Sequence, residues 1–130
     1  MIALDTNVMV RLITRDDPEQ TRGADALLSA KDETFFLADM VLAELSWVLT
    51  RCYSFSRPEI AEVMAALLDR LDVVFEDEER VRIAVRHYLD GLDLADGLIL
   101  GTAKATGCEA LASFDEALGR VDPKFVRRPE

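Results

Sequence analysis

The chain holds one histidine and two cysteines in 130 residues. Zinc sites need three or four Cys, His or acidic ligands with characteristic spacing, and Cys–His nucleophilic catalysis needs a matched pair, so both chemistries lack parts. Cys52 and Cys108 have neither CxxC spacing nor a histidine companion. That pattern favours reduced, buried or half-buried thiols over a structural disulfide. The six glycines (23, 91, 97, 101, 107 and 119) form neither GxGxxG nor a Walker pattern, which excludes a Gly-rich phosphate loop. Asp39 and Glu44 interrupt the most apolar stretch, so no run reaches the ~20 residues of a membrane helix. No basic segment followed by an apolar core opens the chain, so we expect no signal peptide and a cytoplasmic location. Repeats, low-complexity tracts and linkers are also missing, and residues 1–130 read as one domain.

Basic residues are scarce too. Against 25 Asp and Glu stand 15 Lys and Arg, a net charge of −10. This excludes broad electrostatic adhesion to nucleic acid or to an anionic membrane. A nucleic-acid substrate stays open, because bound divalent ions change the local sign at a site. Such binding would be local and metal-dependent. Half the residues are apolar and 31% are charged, a globular composition rather than a disordered one.

What is present alternates between two periods. Residues 1–5 read as a short buried strand, and a helix starts at Asn7 with Val8, Leu12 and Ile13 on one side. Asp16-Asp17-Pro18 breaks and restarts it, since Pro suits a first helical turn, and 19–30 continues at helical spacing. Thr34 to Ala38 is β-branched and aromatic, a second strand, after which Asp39 is placed to cap a helix over 40–53. Ser56-Arg57-Pro58-Glu59 is a capping box, opening a helix with the stripe Ile60, Val63, Leu67, Leu68 and Leu71. Residues 72–75 read as a third strand. A helix over 77–90 turns Val81, Ala84, Val85, Tyr88 and Leu89 inward and stops at Gly91; one over 94–106 stops at Gly107. Strand 109–114 follows, and Lys124-Phe125-Val126 adds a short fifth. Strands alternating with helices predict a parallel sheet wrapped in helices, an α/β fold.

Four acids stand out on this pattern: Asp5, Glu44, Asp96 and Asp115. Asp5 and Asp115 each end an apolar run, at the carboxyl end of a predicted strand, the edge where open α/β sheets place their sites. Each also suits a helix N-cap, which alone would explain the residue type. Glu44 falls at the edge of the arc formed by Val41, Leu42, Leu45, Val48, Leu49 and Cys52, where a rim Glu with its head in water is the plain alternative. Asp93 and Asp96 share a helix face, Asp93 as cap and Asp96 one turn in among Ala95, Leu98 and Ile99; Gly97 permits a close approach to the backbone. Asp96 ranks as functional, and Asp93 as mainly a cap with a supporting role. Carboxylates gathered together repel and lose hydration unless a cation lies between them. An all-oxygen set suits Mg²⁺ or Mn²⁺. Ser113 could donate a hydrogen bond to a ligating carboxylate or bound water. His87 falls off its helix's apolar face and reads as solvated, while Trp47 shares a flank with Glu44 and Arg51.

Ile2-Ala3-Leu4-Asp5-Thr6-Asn7, Ala43-Glu44-Leu45, Asp93-Leu94-Ala95-Asp96-Gly97-Leu98-Ile99 and Ser113-Phe114-Asp115 resemble, in that order, the motifs of PIN domains. The nearest likeness is to the VapC-type ribonuclease toxins of type II toxin–antitoxin pairs. The resemblance implies a three-layer α/β/α fold with a parallel sheet of four or five strands. It further implies Mg²⁺- or Mn²⁺-dependent endoribonuclease activity, a homodimer, and an antitoxin that blocks the acidic pocket. Asp5, Glu44, Asp96 and Asp115 match the family's acidic quartet, and Asn7 and Ser113 its supporting polar positions. Gly97 and Ser113 stand where Ala and Thr are common, and neither departure removes a ligand.

The expected chemistry is hydrolysis of cellular RNA, single-stranded or structured, with the carboxylates holding one or two cations that activate water and offset transition-state charge. Arg11, Arg15 and Arg51 are candidates to track phosphates. Met40, Leu49, Tyr53, Phe55, Met64 and Leu68 look like more apolar surface than one small sheet face covers, which favours a dimer through the helices of 40–71. A housekeeping RNA-processing nuclease and a non-catalytic PIN-like module are the rival readings. A phosphatase of the haloacid-dehalogenase type would want an acid where Asn7 stands.

Overall fold

The computed structural model describes residues 1–130, which divide into two compact units, Met1–Glu76 and Asp77–Glu130. The first unit carries β1 (Ile2–Ala3), α1 (Thr6–Thr14), α2 (Pro18–Leu28), β2 (Phe35–Leu37), α3 (Asp39–Tyr53), α4 (Arg57–Leu68) and β3 (Val73–Phe75). Its strands pair in the order β1-β2-β3, all parallel. Ile2 lies opposite Phe35, and Phe35 in turn opposite Val73. As the middle strand, β2 buries Phe35 and Leu37 completely. β1 has one ladder neighbour, and its two residues are exposed rather than buried as expected; Leu4, just beyond, is the first core residue.

Helices α3 and α4 supply most of the remaining core of this unit through Leu42, Leu45, Leu49, Ile60, Met64 and Leu67. Leu49, Met64 and Leu68 therefore lie inside, and the expectation that they offer spare apolar surface is corrected; Met40 does stay exposed. Leu71, assigned to the inward stripe of α4, lies past the helix end and is fully exposed. The capping box is present as read: Ser56 Oγ accepts from the Glu59 N–H, and Glu59 Oε1 accepts from the Ser56 N–H. Asp39 is not the cap of α3. Ala38 takes that position, Asp39 is the first helical residue, and Glu76 Oε2 accepts from the Asp39 N–H at 3.1 Å. A carboxylate from the end of β3 thus satisfies a helix N-terminus that begins at the end of β2, as the orphan donors of a first turn require.

The second unit holds α5 (Glu78–Leu89), α6 (Leu94–Ala105), β4 (Leu111–Ala112), α7 (Glu116–Val121) and β5 (Val126–Arg127). Gly91 and Gly107, both at positive φ, follow the ends of α5 and α6 as expected. Helix α6 packs on α5 through Gly97, where an added Cβ would lie 3.0 Å from Ala84 Cβ. The close approach foreseen at Gly97 is thus to a neighbouring helix. Leu89, expected inward, is more than half exposed. β4 pairs in parallel with β5, Leu111 opposite Val126, so the fourth strand is shorter than 109–114 and the fifth lies later than 124–126. Leu92, Leu100, Leu118 and Val126 form the core beneath them.

The chain is an α/β protein with parallel strands throughout, as its alternating pattern predicted. The five strands hydrogen-bond as a set of three and a set of two. Cys52 and Cys108 are free and exposed, which corrects the expectation of buried thiols. No helix is long and apolar enough to cross a membrane.

Candidate functional site

In the first unit the chain leaves β1 through Leu4 and enters α1 at Thr6, so Asp5 falls on the turn between them. Its carboxylate accepts the Thr6 N–H at 2.8 Å and caps α1. Thr6 is buried, and its hydroxyl donates to Glu44 Oε1 at 3.1 Å. One residue thereby ties Asp5 and Glu44 together, by its amide on one side and its hydroxyl on the other. The position of Thr6 between a strand-end acid and a helix was the signal available in the sequence. Glu44 itself is exposed, with Ala43 and Leu45 buried beside it, so packing of α3 sets its place. Asn7 is exposed on the first turn of α1.

In the second unit Asp96 sits in the first turn of α6, half-buried, and its pKa is raised above the ordinary Asp value. Burial is the largest cause, followed by the charges of Asp93 and then Asp115. Three carboxylates thus interact here, and the pair physics is that of like charges sharing a site. Asp93 occupies the N-cap position of α6 but makes no side-chain capping bond, contrary to its reading as mainly a cap. Asp115 caps α7, its Oδ1 accepting the Leu118 N–H at 3.0 Å. Ser113 Oγ accepts the Asp115 N–H at 3.0 Å. It therefore positions the acid through the backbone rather than by donating to a carboxylate.

The candidate phosphate-tracking arginines are mostly engaged with acids. Arg11 bonds Gln20 through Nε at 2.6 Å and Asp16 through NH1 at 3.0 Å; Arg15 forks onto Asp25 at 2.6 and 3.1 Å. Arg51 is exposed and lies over the Trp47 ring, 5.9 Å from its centroid. In each unit the residues present fit a hard divalent cation by donor chemistry, since every candidate ligand of the acidic quartet is a carboxylate. No three His, Cys, Asp or Glu side chains converge at ligating distance in this structure. The negative charge that a cation would neutralise is in place; closed coordination is not.

A search of curated proteins gives no match to the chain. The family model of the PIN domain matches residues 2–124, a span that includes all four acidic motifs. With the match covering nearly the whole length, the chain belongs to the PIN domain family, which suggests a nuclease-type fold.

Proposed function

We propose that the chain, as one PIN-like domain over 1–130, is a metal-dependent endoribonuclease and the toxin of a toxin–antitoxin pair, acting in the cytoplasm. The observation that carries this reading is Asp96, an acid kept half-buried against the charges of Asp93 and Asp115. A bound cation would offset both the burial of Asp96 and that repulsion, which supports a metal site there. Family membership adds that PIN domains are generally metal-dependent nucleases.

In this proposal Asp5, Glu44, Asp96 and Asp115 hold Mg²⁺ or Mn²⁺. When bound, such a cation lowers the pKa of water for attack on phosphorus and offsets transition-state charge. The chain's own contributions are positional. Thr6 orients Asp5 and Glu44, Ser113 fixes the backbone at Asp115, and α6 holds Asp96 in its first turn. Metal-assisted hydrolysis needs neither a histidine nor a 2′-hydroxyl nucleophile, in keeping with a chain that has one histidine, so attack by water, expelling the 3′ oxygen, is the step proposed. With a net charge of −10, single-stranded RNA that can be gripped locally suits the surface better than a long duplex. An antitoxin would place an Arg where the cation sits, since guanidinium binds carboxylates bidentately, and the working form would be a homodimer.

The test is cleavage of an RNA panel by purified protein with Mg²⁺, Mn²⁺ or EDTA, beside growth of cells expressing the chain alone. Metal-dependent cleavage with arrested growth is expected. Cleavage without any growth defect would leave an RNA-processing enzyme as the better reading, and no cleavage with either metal would sink the enzyme.

A further inference from the structure

Within the first unit, α1 and α2 flank an open cavity of about 420 Å³ lined by Asn7, Val8, Arg11, Gln20, Gly23 and Leu27. Its polar end starts at Asn7, two residues after Asp5. Gly23 is the odd member. It lies in the interior of α2, where glycine weakens a helix relative to alanine. An added Cβ there would meet nothing within 4 Å. Gly97 and Gly101, by contrast, are explained by neighbours, Ala84 and Arg80. Gly23, like Gly119 in α7, faces open space, so its missing side chain leaves the mouth of the cavity unfilled.

The lining says what kind of thing. The Arg11 charge is matched by Asp16, and its Nε is bonded to Gln20, so an anionic phosphate finds little uncompensated attraction. The Asn7 carboxamide offers a donor and an acceptor, and Gln20, whose Oε1 accepts from Arg11 Nε, offers its amide donors, groups of the kind that read base edges. Val8 and Leu27 supply an apolar wall, and single-stranded RNA presents unstacked bases to such surfaces. We propose that this cavity seats one nucleobase of the RNA substrate and sets base preference beside the cleavage site, a reading that rests on the nuclease assignment.

The experiment uses short single-stranded homopolymers of A, C, G and U, bound to the full chain carrying Asp96→Asn so that the RNA stays intact. Anisotropy should show one homopolymer preferred by at least about tenfold, the discrimination of a single good base contact. Adding Gly23→Leu fills the cavity and should erase that preference. Gly23→Gln, a strong helix former, serves as a second variant should Leu disturb the fold. Preference absent from the start, or untouched by either substitution, overturns the proposal. So does unchanged RNA preference with lost binding of a protein encoded by an adjoining small reading frame, which would assign the cavity to a protein partner. Wild-type cleavage with Mn²⁺ is scored separately. Cleavage with a preference insensitive to Gly23 leaves the nuclease and removes the base site; a Gly23-dependent preference without cleavage does the reverse.

Discussion

Asp96 shows how one residue type serves stability and function with opposite sign. Its carboxylate loses hydration by burial and faces Asp93 and Asp115, so the folded chain holds the ionised form at a cost. Asp96→Asn removes that charge with almost no change in shape. We expect the variant to melt at or above the wild-type temperature without metal, and to lose RNA cleavage by more than about 100-fold, beyond the 10–100-fold typical of supporting groups. Calorimetry and a cleavage assay on the same preparation check both. Asp93→Asn should keep most activity, because Asn preserves the shape at the start of α6 and removes only a charge that opposes ionisation of Asp96. Equal loss in the two variants would move Asp93 into the ligand set.

Helix-level packing carries the next two expectations. Gly97→Ala would gain about 1 kcal/mol of helix propensity, but its Cβ would stand 3.0 Å from Ala84 Cβ and 3.1 Å from Ala84 Cα. Backbone cannot rotate away as a side chain can, and overpacking costs about 1–3 kcal/mol. The expected net is destabilisation by about 1 kcal/mol, relieved by adding Ala84→Gly, as a denaturant series would measure. At the turn between α1 and α2, Asp16 accepts from Tyr53 Oη at 2.7 Å and from Thr14 Oγ1 at 2.9 Å. These bonds, Tyr53 first and then Thr14, with Arg11 adding charge, hold Asp16 below the usual carboxylate range. A depressed folded pKa contributes stability above the unfolded value of about 3.9, and that contribution fades as pH falls through the folded value. Asp16→Asn should therefore cost stability at pH 7 and progressively less below about pH 4. Thermal melts of both chains across that range would show it. A constant difference would mean that the bonds, not the charge, matter.

For the whole molecule, the excess of ten negative charges raises the free energy of the compact state through self-repulsion. A cation bound only by the native form shifts the folding equilibrium by mass action, about 2.7 kcal/mol at a hundred times its Kd. Millimolar Mn²⁺ should raise the melting temperature, EDTA should reverse it, and Asp96→Asn should blunt the response. A rise equal in wild type and variant would reduce the effect to general screening.

The sequence by itself determined the order of elements, the parallel α/β class and the acidic positions, because hydrophobic period, capping residues and strand-end acids are local signals. Gly91, Gly107 and the Ser56–Glu59 box were legible for that reason, each acting within a few residues. Contacts distant in sequence decided the rest. Leu49 and Met64 looked like spare surface until the core claimed them, and Leu71 looked buried until the helix ended before it. Thr6 became the link between Asp5 and Glu44 only once α1 lay on α3, 38 residues apart in the chain. Glu76 displaced Asp39 as the group that satisfies the start of α3 only because β3 lies beside β2. Arg11 and Arg15, free cations in the sequence, acquired carboxylate partners when α1 and α2 folded together. Periodicity reports which face a residue prefers, whereas the partner waiting there is set by which elements pack, a property of the tertiary structure alone.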